Sequence, residues 1–359
     1  MLFEDLATEL VLAVFFSCNR IADVLALSST CRRFRRISTS SQRLAILESA
    51  AETQFGPLQD LTQLLTHNAS QPAHIIRDVP FSVALLKQIV RYGHVAEKWC
   101  NIYPFKKWKH DYENRRLLTS VEDYRLRRAI YRSWLYSRAF HNRDHAREFR
   151  ATKPILQKRA ALLHNWNTWE LAEIADVNAV IREVVHSNIC PSNGAIARKF
   201  KKCFPENEHS LLFNIHLNYP QPQAHNPFSA QYHITTNTLS AHFNNTATYT
   251  SRYTSSKFSL LPNHEVGAEG WGDEIPHYYV IEDMLKLDPE QILWLKENAP
   301  LKGMVEAYVR SLGDWFENNG ETWGQTLEWV LMERGEDVRE FMGAITDGEL
   351  GVAVDGEEA

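Results

Sequence analysis

The first forty residues carry two apolar stripes with helical spacing. Residues 6–18 place apolar side chains three or four positions apart, and residues 21–34 repeat this spacing. The stripes consist of Leu6, Leu10, Val11, Val14, Phe15 and Cys18, and of Ile21, Val24, Leu27, Cys31 and Phe34. A short helical segment cannot bury two such faces against itself. We therefore expect part of this apolar surface to contact a partner.

The residues of this segment resemble an F-box. The resemblance rests on Leu6, Glu9, Val14-Phe15, Asp23-Val24-Leu25, Leu27 and Cys31-Arg32-Arg33-Phe34, in that order. Its less common part is the run Leu-Ser-Ser-Thr-Cys-Arg-Arg-Phe at 27–34. An F-box usually begins with Leu-Pro, whereas this chain has Leu6-Ala7. The proline that would fix φ in the first helical turn is therefore absent.

In the F-box family this segment forms a compact helical module that docks on the Skp-type adaptor of a cullin–RING ubiquitin ligase. The resemblance implies that the chain is the substrate-recognition subunit of a Skp–cullin–F-box ligase and is not itself catalytic. It implies the adaptor, through it a cullin, and an unknown protein substrate as partners. The implied adaptor-binding residues are Leu6, Ala7, Leu10, Val11, Val14, Phe15, Leu25, Leu27, Cys31 and Phe34.

Helical signals continue beyond this segment. Residues 120–150 predict one long helix, in which Leu126, Ile130 and Trp134 recur every four positions and face inward. A separate basic stripe on the same helix consists of Arg125, Arg128 and Arg132. The stretch 124–141 is also similar to a region that follows many fungal F-boxes, as is the stretch 311–329. These passages support the assignment to a fungal F-box family.

Capping signals mark several helix ends. Ser120 followed by Asp123 predicts the beginning of the long helix, and Thr168 predicts the beginning of another. Asp288-Pro289-Glu290-Gln291 combines a cap, a proline at the first helical position and a polar residue at the third. Gly335 is expected to end the helix that precedes it. These signals predict helices in both halves of the chain.

The predicted fold is mainly α, with an N-terminal F-box helical module followed by a larger all-helical body. The body is expected to contain a polar loop or a small β-hairpin insertion, because Pro, Asn, Ser and Thr dominate its middle part. No period of about 20–50 residues recurs, which excludes solenoid and propeller receptors. The predicted divisions are the F-box at 1–40, the first part of the body at 41–217, the insertion at 218–272, the acidic part of the body at 273–347 and a disordered acidic tail at 348–359.

Composition restricts the compartment. Apolar residues make up 44% of the 359 residues, so a packed core is expected and global disorder is not. The five cysteines show neither regular spacing nor a zinc pattern, which suits a reducing compartment. No apolar run approaches the roughly 20 residues that span a bilayer, and no basic region precedes the first apolar stretch as in a signal peptide. We therefore expect a cytoplasmic or nuclear protein without membrane contact.

Charge is unevenly distributed along the chain. Residues 98–160 hold 17 Lys/Arg and 6 Asp/Glu, a balance of +11, whereas residues 265–359 hold 6 and 23, a balance of −17. Either the two regions neutralise each other, or the basic region binds an outside polyanion. The second explanation makes a nucleic-acid or phosphate-binding helical protein, using 106–159, the alternative function. Nucleic acid is disfavoured because the aromatic residues there fall on the face that needs a core.

No catalytic constellation is recognisable. The chain lacks a Gly-x-Ser-x-Gly elbow and a phosphate loop with Gly-Lys-Ser/Thr. His141 and His145 are one helical turn apart near a carboxylate and could begin a metal site, but the neighbouring arginines would repel a cation. We accordingly expect no metal, no cofactor and no catalysis by the chain itself. A third possibility is an enzyme whose site lies unrecognised within 200–280.

Overall fold

The computed structural model describes residues 6–142, 145, 152–191, 281–313, 316 and 321–354. Within these ranges the protein is mainly α-helical, as predicted, and contains no strand. The chain forms two compact units, one made of Met1–Leu135 with Val352–Ala359 and one made of Tyr136–Gly351. The insertion predicted at 218–272, including its possible β-hairpin, lies outside the described residues. No described helix combines the length and the apolar character needed to cross a membrane.

The first unit contains seven helices within its described residues. Three short helices come first and pack on the fourth, which in turn packs on the fifth and the sixth. The helices are α1 (Thr8–Phe16), α2 (Ile21–Thr30), α3 (Arg32–Ser38), α4 (Arg43–Phe55), α5 (Leu58–Thr66), α6 (Val83–Lys107) and the greater part of α7 (Ser120–Phe140). Because α4 contacts α1, α2 and α3 as well as α6, it forms the centre of this unit.

A glycine allows α4 and α6 to approach closely. Gly93 lies in the interior of α6, where glycine costs about 0.5–1 kcal/mol relative to alanine. A Cβ atom at this position would lie 2.2 Å from the Phe55 ring at the end of α4. The helix therefore carries glycine here because the aromatic ring occupies the space of a side chain.

Helix α7 begins and ends at points that differ in detail from the prediction. Its cap is Thr119, not Ser120: the Thr119 hydroxyl accepts a hydrogen bond from the Glu122 amide at 3.2 Å, and the Glu122 carboxylate accepts one from the Thr119 amide at 2.7 Å. The helix ends at Phe140 instead of continuing to 150. The side-chain amide of Asn142 donates to the carbonyls of Arg138 and Ala139 in the last turn of the helix.

The second unit is built around a helix that is buried on almost every side. This helix, α9 (Thr168–Val184), begins at Asn167 with a reciprocal capping box to Glu170, so Thr168 is the first helical residue and not the cap. It continues into one π-helical turn at Val185–Ile189. The other helices that begin within the described residues of this unit are α8 (Lys153–Leu163), α10 (Pro289–Asn298), α11 (Lys302–Ser311), α12 (Trp323–Glu333) and α13 (Val338–Thr346).

Two predicted helix ends in this unit are confirmed. Asp288 caps α10 through a reciprocal capping box with Gln291, with Pro289 in the first turn. Gly335 adopts a φ of 76°, the left-handed conformation that ends α12. Both ends follow from local chemistry, which is why the sequence pattern was sufficient to place them.

The beginning of the predicted acidic tail differs from the expectation of disorder. Val352 and Ala353 are buried, with 0% and 3% of their surfaces exposed. Gly351 has a φ of 125°, and a Cβ there would lie 2.6 Å from a carboxylate oxygen of Asp176. The apolar pair Val352-Ala353 therefore packs although acidic residues surround it in the sequence, and residues 355–359 lie outside the described part.

Candidate functional site

Helices α1, α2 and α3 form a small module that α4 holds in place, and we call it the N-terminal module. The Ile21 amide at the beginning of α2 donates to the Gln54 side chain of α4 at 3.2 Å. The Ser49 hydroxyl of α4 donates to the carbonyl of Phe16 at 3.4 Å. The Arg33 guanidinium donates to the carbonyl of Leu6, which ties α3 to the residues before α1. These bonds fix both ends of α1 and the beginning of α2.

All three helices of the N-terminal module contribute buried side chains to its core. Val11 and Phe15 are fully buried, and Val24 and Phe34 are each 3% exposed. The rings of Phe15 and Phe34 meet edge to face with centroids 6.3 Å apart. Of the residues predicted to bind an adaptor, Val11, Phe15 and Phe34 therefore lie inside the module and do not present a surface to a partner.

Cys31 has a structural role that its sequence position did not reveal. Its sulfur accepts a hydrogen bond from the Phe34 amide at 3.4 Å and so caps α3. The side chain is half-buried. In the Cys-Arg-Arg-Phe sequence, Cys31 thus caps α3 and Phe34 packs in the core of the module.

The remaining predicted residues lie nearer the surface. Leu10 is 55% exposed and Leu25 is 56% exposed, both large fractions for leucine. The side chain of Ala7 is exposed as well. Together with Cys31, the half-buried members of the set are Leu6, Val14 and Leu27. The structure thus divides the predicted set into a buried group, an intermediate group and an exposed group.

Phe16 belongs with the exposed group, although the sequence pattern did not select it. It is 40% exposed, while its neighbour Phe15 is fully buried. The signal for this residue was present as a pair of adjacent phenylalanines, since two consecutive helical positions point about 100° apart and one ring can face the core while the other faces away. Leu10, Phe16 and Leu25 are the large apolar side chains of α1 and α2 that remain exposed, and we call them the exposed apolar set.

The predicted basic surface on α7 is not a continuous exposed stripe. Arg132 is only 8% exposed, and its guanidinium binds the Asp60 carboxylate of α5 at 2.7 Å and 3.4 Å. Arg125 and Arg128 are half-buried. Leu126, Ile130 and Trp134 face inward as predicted, each with at most 1% of its surface exposed. Arg132 thus neutralises an acid within its own unit.

The connector between α6 and α7 places an arginine between two exposed rings. The Arg115 guanidinium carbon lies 4.6 Å from the Tyr112 ring centroid and 5.8 Å from that of Phe105. Tyr112 is 74% exposed and Phe105 is 60% exposed. The guanidinium also donates to the carbonyl of Trp108 at 2.9 Å. We call Phe105, Tyr112 and Arg115 the aromatic clamp.

The next arginine of this connector is used internally. Arg116 forms a two-pronged salt bridge with Glu122, whose two oxygens each lie 2.5 Å from a guanidinium nitrogen. Burial alone would raise the pKa of Glu122, but the bonds from Arg116 and Thr119 outweigh it and lower this pKa. Arg116 therefore neutralises a carboxylate of α7 instead of facing solvent with its full charge.

The second unit contains a buried polar network that no sequence pattern indicated. The Tyr136 hydroxyl forms hydrogen bonds with the hydroxyls of Thr322 at 2.9 Å and Thr326 at 2.8 Å. Arg159, which is 1% exposed, donates to Thr326 at 2.9 Å, and His141 contacts Thr322 at 3.2 Å. Burial is the main reason that the pKa of Tyr136 is raised to about 12. The partners come from helices far apart in sequence, so spacing along the chain could not predict them.

The two histidines considered for a metal do not converge in the structure. His141 contacts Thr322, whereas the Nδ1 atom of His145 lies 3.1 Å from the side-chain oxygen of Asn142. Among the described residues no group of three histidine, cysteine, aspartate or glutamate side chains is arranged to hold a metal ion. The histidine pair is therefore part of the helix end and its packing.

Three comparisons with known proteins complete the description of the site. A scan against protein-family models finds no match to the chain. Searches of curated proteins and of solved structures find no match either. Any function for the N-terminal module, the aromatic clamp and the buried network must therefore be argued from their own residues.

Proposed function

We propose that the chain is the substrate-recognition subunit of a Skp–cullin–F-box ubiquitin ligase, which docks on the adaptor through the N-terminal module. The observation that carries the proposal is the exposure of Leu10 and Leu25 on a module whose own core is already filled by Val11, Phe15 and Phe34. Large apolar side chains that remain exposed on a small, well-packed element leave apolar surface whose burial by a partner would be favourable. The F-box resemblance of residues 6–34 supplies the class of partner.

In this proposal the chain performs no bond chemistry. The helical body holds a protein target near the ubiquitin-carrying enzyme and so raises the effective concentration of the reacting groups. The four cysteines within the described residues, Cys18, Cys31, Cys100 and Cys190, form no disulfide. Reduced cysteines agree with a reducing compartment, and we propose a cytoplasmic or nuclear location.

The test is co-purification with a Skp-type adaptor. We expect the wild-type chain to bind and a Leu10→Asp, Leu25→Asp double variant to bind at least about 100-fold more weakly, because each change places a charge in an apolar interface. Both positions are exposed, so circular dichroism should show an unchanged helical content. Leu117→Asp is the matched control, since Leu117 is 82% exposed outside the module. Absence of wild-type binding, or wild-type affinity in the double variant, would contradict the proposal.

The aromatic clamp supports a second candidate function, the binding of single-stranded nucleic acid. Tyr112 and Phe105 offer exposed rings for stacking, and Arg115 lies between them. Two observations weigh against this candidate. Arg116 and Arg132 are paired with Glu122 and Asp60, so part of the positive charge in 106–159 is neutralised within the first unit.

Binding to a single-stranded polynucleotide tests this second candidate. If the clamp binds bases, Tyr112→Ala should weaken the affinity by about tenfold or more, because one stacked base contributes about 1–3 kcal/mol. Trp169→Ala removes an aromatic side chain of similar exposure, 63%, from α9 and serves as the control. Equal effects of the two substitutions, or retention that disappears at moderate salt for every variant, would indicate only nonspecific attraction.

A further inference from the structure

Helix α3 presents three arginines on the side that faces away from the core of the N-terminal module. Arg32, Arg35 and Arg36 are all exposed. Arg35 and Arg36 follow Arg32 by three and four positions, which places all three on the same side of the helix. Phe34 and Ile37, on the opposite side, are buried. We call Arg32, Arg35 and Arg36 the arginine face.

The charge of the arginine face is not balanced by nearby acids. Residues 24–47 contain five arginines and neither aspartate nor glutamate. The guanidinium groups of Arg32, Arg35 and Arg36 take part in no salt bridge or hydrogen bond within the part of the chain that the structure describes. Arg33, by contrast, is half-buried and donates to the carbonyl of Leu6. The arginine face is therefore a patch of positive charge that is exposed to solvent.

The backbone beneath the arginine face is held in place by the rest of the module. The Cys31 sulfur caps the beginning of α3, and the ring of Phe34 packs edge to face on that of Phe15. The rise from residue 32 to residue 36 of a helix is about 6 Å. The three side chains thus project from a short, fixed segment, so little order has to be created in the backbone when a ligand binds.

The type of cation indicates the type of ligand. The chain has no lysine before Lys87, so every cation of α3 is an arginine. A guanidinium offers a planar fork of N–H donors that can bind both oxygens of a carboxylate. Like charges one helical turn apart repel each other, and a bound carboxylate would relieve this repulsion. Both properties favour a ligand that carries several oxyanions.

The composition of the arginine face distinguishes between polyanions. It contains no aromatic side chain on which a base could stack, as a surface for single-stranded nucleic acid would. It also contains no apolar side chain that could enter a bilayer, as a membrane-binding helix would. A carboxylate-rich peptide needs neither, because charge-assisted hydrogen bonds are sufficient to hold it.

We propose that the arginine face binds an acidic segment of a protein partner, with aspartate or glutamate carboxylates as the contacting groups. The face lies on α3, whereas the exposed apolar set lies on α1 and α2. The inference therefore goes beyond the proposed adaptor docking and does not rest on it. A synthetic peptide can test it without an adaptor.

The experiment is titration of a fluorescein-labelled octaglutamate peptide with the full chain, followed by fluorescence anisotropy at a fixed ionic strength. An octaglutamine peptide with the same label is the uncharged reference. We expect saturable binding of the glutamate peptide and none of the glutamine peptide. The whole chain has a formal net charge of −5, so its net charge repels the glutamate peptide and cannot cause this binding.

A charge-matched pair of variants locates the binding on α3. Replacing Arg32, Arg35 and Arg36 together by glutamine should weaken the affinity by about tenfold or more, because three exposed charge pairs are lost. The control removes the same amount of charge from exposed lysines elsewhere in the chain and should leave the affinity unchanged. Its substitutions are Lys87→Gln, Lys153→Gln and Lys158→Gln.

Three results would overturn the proposal. The first is the absence of saturable binding of the glutamate peptide to the wild type. The second is an equal affinity of the arginine variant and the lysine control. The third is tighter binding to a single-stranded oligonucleotide or to phosphatidylserine vesicles, lost in the arginine variant, which would assign the arginine face to nucleic acid or to a membrane.

Single substitutions decide if circular dichroism shows that the triple arginine variant does not fold. Arg32→Gln and Arg36→Gln each remove one exposed guanidinium. A loss of affinity for the glutamate peptide of about twofold or more in either variant supports the proposal. Wild-type affinity in both overturns it.

Discussion

Replacing Asp60 with alanine is expected to lower the free energy of unfolding by about 3–5 kcal/mol. The carboxylate of Asp60 lies 2.7 Å from Nε of Arg132, and the side chains of Asp60 and Arg132 are only 14% and 10% exposed. Removing the acid takes this carboxylate partner away from a guanidinium that lies in a largely dry environment. Urea unfolding followed by circular dichroism measures the loss.

A control substitution and a double variant distinguish the contribution of the Asp60–Arg132 salt bridge from the effect of burying either side chain. Asp78→Ala removes an exposed carboxylate of the same unit and should change the free energy of unfolding by less than about 0.5 kcal/mol. Replacing both partners by apolar residues, Asp60→Leu with Arg132→Met, should recover most of the loss. A loss below about 1 kcal/mol in Asp60→Ala would mean that water reaches Arg132, and the interior position assigned to it would be wrong.

Two adjacent phenylalanines should respond very differently to truncation. Phe15→Ala is expected to lower the free energy of unfolding by about 3–5 kcal/mol, because a fully buried ring packed against Phe34 leaves a cavity behind. Phe16→Ala removes the same atoms from a ring that is 40% exposed, so its effect should be clearly smaller. Urea unfolding of both variants under one set of conditions gives the comparison.

Substitutions of the same two phenylalanines distinguish effects on the stability of the N-terminal module from effects on adaptor binding. If Phe16 contributes to the adaptor surface, Phe16→Ala should weaken adaptor binding while the module stays folded. Phe15→Ala should weaken binding only as far as it unfolds the module, so a stabilising osmolyte should restore binding. Equal destabilisation by the two substitutions would show that α1 is rotated relative to the structure described above.

Helix positions that depend on neighbours in sequence were predictable. The spacing of Leu126, Ile130 and Trp134 correctly gave the inward face of α7, and the residues around Asp288 correctly gave the beginning of α10. In both cases the deciding interaction lies within one or two turns of the same helix. The mainly helical fold class of the described residues follows from the same kind of local signal.

Features that depend on distant partners were not predictable. The end of α7 at Phe140 follows no glycine or proline, and no breaker occurs in the sequence before Pro154, so periodicity extended the helix too far. Arg132 was assigned to a surface because its partner Asp60 is 72 positions away. The hydroxyl network around Tyr136 joins residues up to 190 positions apart. Only tertiary packing determines which polar side chains meet in these places.

The candidate site was predicted as a set of residues but not as a surface. The apolar stripes coincide with helices that the structure contains, α1 and α2. A stripe on a short helix indicates which way a side chain points but not how deeply it is buried. Whether Leu10 or Val11 enters the core depends on where α3 and α4 lie, since these helices supply the other side of that core. The exposed fraction of each side chain could therefore be determined only from the folded structure.

The central position of α4 has a mechanical consequence. One helix holds the N-terminal module through Ser49 and Gln54 and also packs on α6, where Gly93 leaves no clearance around the ring of Phe55. No hinge separates the two sets of contacts, because they lie on consecutive turns of the same rod. A protein bound to the N-terminal module would thus be held at a fixed angle to α6. A force that rotates the module would be transmitted directly to the rest of the first unit.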